Sequence, residues 1–253
     1  MTIPRTTLIT GAAKRIGRSI ALTLARDGWD VAIHYGGSTA AAEDLAGEIR
    51  SLGRRAVTIQ ADLGIEAETT GIVAQAVAAL GPLGVLVNNA STFEYDSALD
   101  ATRAHWDHHM EANLRAPFVL IQDFARQLPA DAEGVVINLI DQRVLNLTPH
   151  FVTYTVSKAG LWTLTQTLAM GLAPRIRVNA IGPGPTLPSV HQTEAQFRAQ
   201  CESMPLRRGT SPEEIAETCR YLIGARSVTG QLIALDGGQH LGWAQPVRED
   251  AEE

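Results

Sequence analysis

Residues 6–17 read Thr6-Thr7-Leu8-Ile9-Thr10-Gly11-Ala12-Ala13-Lys14-Arg15-Ile16-Gly17. A β-branched and aliphatic run leads into a glycine turn, and Ile16 then opens a stretch with apolar residues at helical spacing. Strand, turn and helix in that order are what a dinucleotide pyrophosphate needs. Gly11 permits the tight turn, Gly17 permits close backbone approach, and the free N–H groups of the helix N-terminus point at the phosphates. A lone glycine pattern has a plain alternative, a helix that merely follows a strand, so the rest of the chain has to decide.

Outward from this segment the chain repeats the same rhythm. Strand-like runs fall at Thr6–Thr10, Val31–His34, Ala56–Gln60, Val85–Asn88, Val135–Leu139, Arg177–Ile181 and Leu232–Leu235. Helical spacing fills Ile16–Asp27, Ala40–Leu52, Glu66–Leu80, Ala104–Gln127, Thr153–Leu172 and Pro212–Ala225, with stops at Gly28, Gly53 and Gly81. Alternation of this kind predicts a single α/β domain over residues 1–253, a Rossmann-type doubly wound sheet of about seven parallel strands flanked by helices. Right-handed crossovers place the ligand crevice beyond the carboxyl ends of the strands. Gly182–Pro188 and the polar residues up to about Gly209 break the rhythm and are expected to form a substrate loop at 182–209, as a lid or as a plain surface loop. The acidic tail at 248–253 is expected to fray.

Composition narrows the classes of function. The chain has 253 residues, 45% of them apolar, and a net charge of −6. That leaves no basic stripe to neutralise phosphates, so a small-molecule substrate is expected and a nucleic acid is not. No apolar leader precedes the first strand and no segment stays apolar for about 18 residues, so no membrane partner is expected and the cytoplasm is the predicted compartment. Cys201 and Cys219 stand apart from any second thiol at metal or redox spacing and read as ordinary thiols.

After the second strand the sequence runs His34-Tyr35-Gly36-Gly37-Ser38, with no acidic residue at the strand tip to take the ribose hydroxyls of NAD. Lys14, Arg15 and Ser38 supply positive charge and a hydroxyl nearby, which favours NADPH (NADP). TGAAKRIG resembles the TGxxxGxG of the short-chain dehydrogenase/reductase family, with Arg15 where the middle glycine usually stands. An arginine there is similar to the pteridine reductase or dihydromonapterin reductase branch, in which it contacts cofactor phosphate and bound pterin. That branch usually offers an arginine where Gly37 stands here. The resemblance also implies adenine contacts at Asp62 and Leu63, an NNAG-like segment at Asn88, Ala90 and Ser91, and cofactor contacts at Ile16, Tyr35, Pro183 and Gly184. For Asp62 the plain alternative is an Asx turn.

Thirteen residues beyond Asp141 comes Tyr154-Thr155-Val156-Ser157-Lys158, which puts Tyr154 and Lys158 on one helix face. An ammonium beside a phenol is expected to lower the phenol's pKa and fit it for acid/base work. The pair matches the family's YxxxK. The resemblance makes Lys158 a holder of the nicotinamide ribose and Asn113 the support of a proton-relay water. Asp141 occupies the place of the family serine. A carboxylate repels a forming alkoxide, so Asp141 suits a substrate with basic nitrogens and N–H donors, such as a pterin. A carboxyl with a raised pKa can also relay the proton that C=N reduction requires. Phe93, in Asn-Asn-Ala-Ser-Xaa-Phe, resembles the phenylalanine that stacks on the pterin in that branch. The predicted catalytic set is therefore Asp141, Tyr154, Lys158 and Asn113, and the substrate set Arg15, Ser91, Phe93, Asp141 and Tyr154.

Two other readings stay open: a general carbonyl reductase for 3-oxoacyl thioesters, sugars or ketones, and a non-catalytic NADP(H)-binding sensor. His105, His108, His109 and Glu111 have metal-like spacing, but a polar helix face accounts for them and no metal is expected. The family resemblance implies a homo-oligomer, tetramer (homotetramer) or dimer.

Overall fold

The computed structural model describes residues 2–188 and 192–242. Its strands are β1 (Thr6–Ile9), β2 (Asp30–Tyr35), β3 (Ala56–Gln60), β4 (Val85–Asn88), β5 (Gly134–Leu139), β6 (Ile176–Pro183) and β7 (Leu232–Leu235). All pair in parallel, in the order β3-β2-β1-β4-β5-β6-β7. This is the predicted Rossmann-type sheet. The order reverses between β1 and β4, which opens the crevice between the loops that follow them.

Alternate strand residues feed two cores. Ile9, Val31, Ile33, Val87 and Ile137 face α1 (Arg15–Arg26), α2 (Thr39–Ser51) and α9 (Pro212–Gly224), where Ile20, Leu24, Leu45 and Leu222 meet them. Leu8, Ala32, Leu86 and Val136 face the other way, toward Ile72, Leu120 and Phe124. Because the side-chain period of a strand is two, a slip of one residue in any ladder would exchange the faces, so burial on both sides fixes the register.

Two predicted helices are interrupted. Glu66–Leu80 divides into α3 (Glu66–Thr69) and α4 (Ile72–Leu80). The hydroxyls of Thr69 and Thr70 bond to the carbonyls of Ile65 and Ala67, and Gly71 weakens the helix between the two halves. Ala104–Gln127 becomes α5 (Arg103–Met110), a π turn at Glu111–Arg115 and α6 (Ala116–Gln127). Pro117 has no N–H to give the carbonyl of Asn113, so the helical ladder widens there. The helix that carries Tyr154 and Lys158, α7, spans Val152–Gly171.

The predicted loop at 182–209 is only partly a loop. β6 runs on through Pro183 because Gly182 and Pro183 pair with Ala234 and Leu235. A further helix, α8 (Glu194–Glu202), lies within the span. It starts from a capping box, in which Gln196 N–H donates to Thr193 Oγ1 and Thr193 N–H donates to Gln196 Oε1. None of its residues is buried, so no apolar period announced it. Residues 189–191 of the loop and the tail at 248–253 lie outside the described residues. Both cysteines are free thiols. Among the described residues no helix is long and apolar enough to cross a membrane.

Candidate active site

The loop after β1 is braced from both sides. Asn89 donates from Nδ2 to the carbonyls of Thr10 (2.8 Å) and Gly11 (3.2 Å), and Thr10 Oγ1 accepts the amides of Asn89 and Ala90. Gly11 lies in the left-handed region at φ +60°, and a Cβ on Gly17 would collide with the Gly11 carbonyl and the Asn89 side chain. Both glycines are therefore needed by the backbone path itself. Arg15 also has a positive φ, +53°. The residue that replaces the family glycine keeps a glycine-like conformation, at a cost of about 1–2 kcal/mol.

His34 is a contributor that sequence reading passed over. Its Nδ1 accepts the Gly11 N–H (3.2 Å) and its Nε2–H donates to the Ala61 carbonyl (3.1 Å), tying the glycine turn to the end of β3. Burial pushes its pKa down from 6.5 to about 4, so the imidazole stays neutral and in one tautomer at neutral pH.

A cavity of about 330 Å³ opens at the carboxyl ends of the strands. It collects Arg15, Ile16, Ser91, Phe93, Asp141, Tyr154, Lys158, Pro183 and Gly184 from the predicted set, and adds Asn89, Arg143, Gln200 and Gln239. The Tyr154 phenol donates to Asp141 Oδ2 (3.0 Å) and Lys158 Nζ donates to the Leu139 carbonyl (2.9 Å). Asp141 Oδ1 accepts the Arg143 amide (2.8 Å), which fixes the carboxylate. Phe93 lies edge-on to Tyr154 at 4.7 Å between centroids and stacks on Phe151 at 4.4 Å and 11°. Phe93 is nevertheless 45% exposed, so a flat ligand has a surface to meet. Arg15 reaches across the cavity toward the Pro188 carbonyl at 3.4 Å.

The electrostatics correct one expectation. Tyr154 is held well above 10, first by burial and then by the charge and hydrogen bond of Asp141. Lys158 Nζ stands 5.8 Å from the phenol ring, and its own pKa is pulled down to about 8 by burial. In this arrangement Tyr154 is a protonated donor rather than a phenolate, because burial first and Asp141 second disfavour the charged phenol.

Not every predicted residue joins the cavity. Asn88 is buried in the sheet and donates to Asn138 Oδ1 (2.8 Å), joining β4 to β5, and it is the adjacent Asn89 that lines the cavity. Asn113 is fully buried. It accepts the Thr92 amide (2.8 Å) and donates to the Thr92 carbonyl and Ser157 Oγ, which tethers the Ser91-Thr92 turn from behind the cavity wall. Asp62 Oδ1 accepts the Gly64 amide (2.8 Å) in an Asx turn. Tyr35 and Leu63 are buried beside that turn, while Lys14 and Ser38 precede α1 and α2 with no capping bond from their side chains. Of the four metal-like residues, His105 completes a capping box with Thr102, His108 faces Glu94, and His109 turns into the core.

A doubly wound sheet with a glycine turn at its switch point and a Tyr–Lys pair beside it defines a dinucleotide-dependent oxidoreductase. A family profile described as Enoyl-(Acyl carrier protein) reductase matches residues 11–240. The chain belongs to the short-chain dehydrogenase/reductase family. It is 47% identical to a FolM Alternative dihydrofolate reductase 1 from Brucella canis solved with NADP, with a TM-score of 0.93 over 98% of each chain. It is 34% identical to the 3-oxoacyl-[acyl-carrier-protein] reductase FabG of Staphylococcus epidermidis over 94% of this chain and 99% of that one. A blue fluorescent protein from a metagenomic library, solved with NADPH, is 32% identical with a TM-score of 0.87, over 92% of this chain and 97% of that one.

Proposed function

We propose that this chain reduces a dihydropterin, of the dihydromonapterin or dihydrobiopterin type, with NADPH. The observation that carries this reading is the Asp141–Tyr154 hydrogen bond set beside the exposed ring of Phe93. A carboxylate in this position disfavours a nascent alkoxide and suits a ring that presents N–H donors, while the aromatic face suits a flat heterocycle. The likeness to the FolM dihydrofolate reductase supports it.

The residues also fit the cofactor. Gly11 and Gly17 let the turn before α1 pack close against the Asn89-Ala90 loop, and no acidic side chain stands at the tip of β2 to oppose a 2′-phosphate. The buried Oε1 of Gln239 has no partner among the described residues and lies 3.2 Å from where a Cβ on Gly184 would sit, on the cavity wall. NADPH, when bound, would supply the hydride that adds to a ring carbon. Tyr154 gives its proton to the ring nitrogen, so that one C–H and one N–H bond form as the C=N π bond breaks. Asp141 holds the ring through its N–H groups and passes a proton taken up from solvent back to Tyr154, and until then Lys158 offsets the charge left on the phenol.

The test is turnover of 7,8-dihydropterins beside an acetoacetyl thioester and simple ketones, with NADPH, by the wild type and by Asp141→Ser. The expected result is dihydropterin reduction that falls about 100-fold in the variant with cofactor affinity kept. Equal dihydropterin activity in both proteins overturns the reading. The kinship with FabG favours a second reading, a 3-oxoacyl thioester or ketone reductase, which the same panel detects. The proposal includes a cytoplasmic homo-oligomer, tetramer or dimer, to be checked by fractionation and by light scattering.

A further inference from the structure

α7 begins without a capping side chain of its own. The residue before its first turn is Phe151, in the left-handed conformation at φ +58°, and its side chain has no hydrogen-bonding atom. Asp96, from the loop that follows β4, supplies the missing acceptor from outside the helix. Its carbonyl takes the Phe151 N–H (2.8 Å), and its carboxylate takes the Thr153 N–H (3.2 Å) and the Thr153 hydroxyl. Behind Thr153 stands His109 of α5, fully buried. Its Nε2 accepts the Glu94 N–H (3.1 Å), so Nδ1 carries the proton and donates to Thr153 Oγ1 (2.7 Å). The bonds therefore run in one direction, from the Glu94 amide through His109 and Thr153 to Asp96.

Two ends of this chain lie in the loop that carries Phe93, and its middle lies in the first turn of the helix that carries Tyr154. Asp96 is almost fully buried, and its carboxylate is the one formal charge among the groups that bond to Thr153. Phe93 is stacked on Phe151 and edge-on to Tyr154, the geometry that results when loop and helix are held together. The His109 ring also lies 5.9 Å from the Tyr154 ring, on the protein side of it.

We propose that Asp96, Thr153 and His109 form a clamp that sets the distance between Phe93 and Tyr154, which makes them positioning residues for the substrate ring. The proposal rests on the reading of Phe93 as the stacking surface for a dihydropterin. None of the three residues lines the cavity. The clamp therefore acts through Phe93 and Tyr154, and a loosened clamp costs the ring its fitted slot while the cofactor loop, braced separately by Asn89 and His34, is unaffected.

The test uses Thr153→Val, which keeps the volume and removes the hydroxyl, with Thr153→Ser as the rescue. In Thr153→Val the dihydropterin KM is expected to rise about 5- to 10-fold with kcat within about threefold of wild type, NADPH affinity unchanged, and both constants restored in Thr153→Ser. Amide exchange at Glu94 should quicken about tenfold or more in Thr153→Val, while the Gly11 amide keeps its protection. An unchanged KM in a folded Thr153→Val protein overturns the proposal, and so does a parallel loss of NADPH affinity, which would mark general destabilisation. Should that variant not fold, His109→Gln keeps an acceptor for the Glu94 amide but loses the bond to Thr153, and the same split between KM and kcat is expected. If the wild type reduces no dihydropterin, the substrate reading fails alone. The exchange at Glu94 then still judges the clamp, which stands if the amide is released and falls if it is not.

Discussion

The Tyr154 hydroxyl donates a hydrogen bond to Asp141 Oδ2 across 3.0 Å, so the carboxylate that stands in place of the family serine holds the phenol directly. Burial and that carboxylate together keep the phenol protonated well above its ordinary range.

Replacing Asp141 by Asn removes the negative charge but leaves an oxygen to accept the phenol. The Tyr154 ionisation should then move down toward its ordinary value of 10. Titration of phenolate absorbance, with Tyr154→Phe as the blank, measures this. An unmoved ionisation would mean that burial alone holds it up.

Tyr154→Phe removes the hydroxyl that bonds to Asp141 Oδ2 and leaves the ring packing with Phe93 intact. Turnover should fall by about 10²- to 10⁴-fold, the usual loss of a general acid, with NADPH still bound as tightly as in the wild type. Single-turnover absorbance and fluorescence titration separate the two quantities.

Arg15→Gly supplies the residue that the left-handed backbone at this position prefers. The folded state should gain about 1 kcal/mol by relief of strain, partly offset by the added freedom of the unfolded chain. Dihydropterin affinity should fall because the guanidinium on the cavity wall is gone. A chemical melt and a substrate KM provide the two readings, and both the unfolding midpoint and the KM are expected to rise.

His34 titrates at about 4 in the folded protein against 6.5 unfolded, with burial as the cause and nearby Asp62 opposing it. Between these values the unfolded chain binds a proton that the folded one does not, so stability rises with pH through this window. Its contribution is fully present above 6.5 and is lost as pH falls toward 4, by about 3 kcal/mol. The wild type should lose that much more than His34→Asn between these pH values. Equal losses would place the effect elsewhere.

Lys158 is charged below about pH 8 and neutral above it, because burial disfavours the ammonium. If its charge offsets the phenolate left by Tyr154, kcat/KM should decline above pH 8 by a single-proton curve. Lys158→Arg, charged throughout, should be slower yet flat over the same range. A matching decline in that variant would assign the titration to another group.

Much of the fold was legible in the chain. β4, buried at every residue, coincides with the apolar run that predicted it, and β3 and β7, part-buried at the two edges of the sheet, coincide with short runs rich in aliphatic residues. α8 was not legible, because a helix with no buried face shows no period and has only its Thr193/Gln196 box to mark it. The breaks at Gly71 and before Pro117 were written in the sequence, but the apolar spacing on either side concealed them. Tyr154, Lys158 and Asp141 were found because they are local, thirteen and four residues apart. His34, Asn89 and the partners of Asp96 were not, because each acts on a residue that is near in space and distant along the chain.

The sequence by itself determined the doubly wound sheet, the turn at Gly11 and the presence of a phenol, an ammonium and a carboxyl at one sheet edge. Hydrophobic period and glycine stereochemistry are local properties, and local properties can be read in order. Only the tertiary structure decided the protonation of Tyr154, because a pKa depends on burial and on neighbouring charge, and folding buried the phenol and set the Asp141 carboxylate 3.0 Å from it.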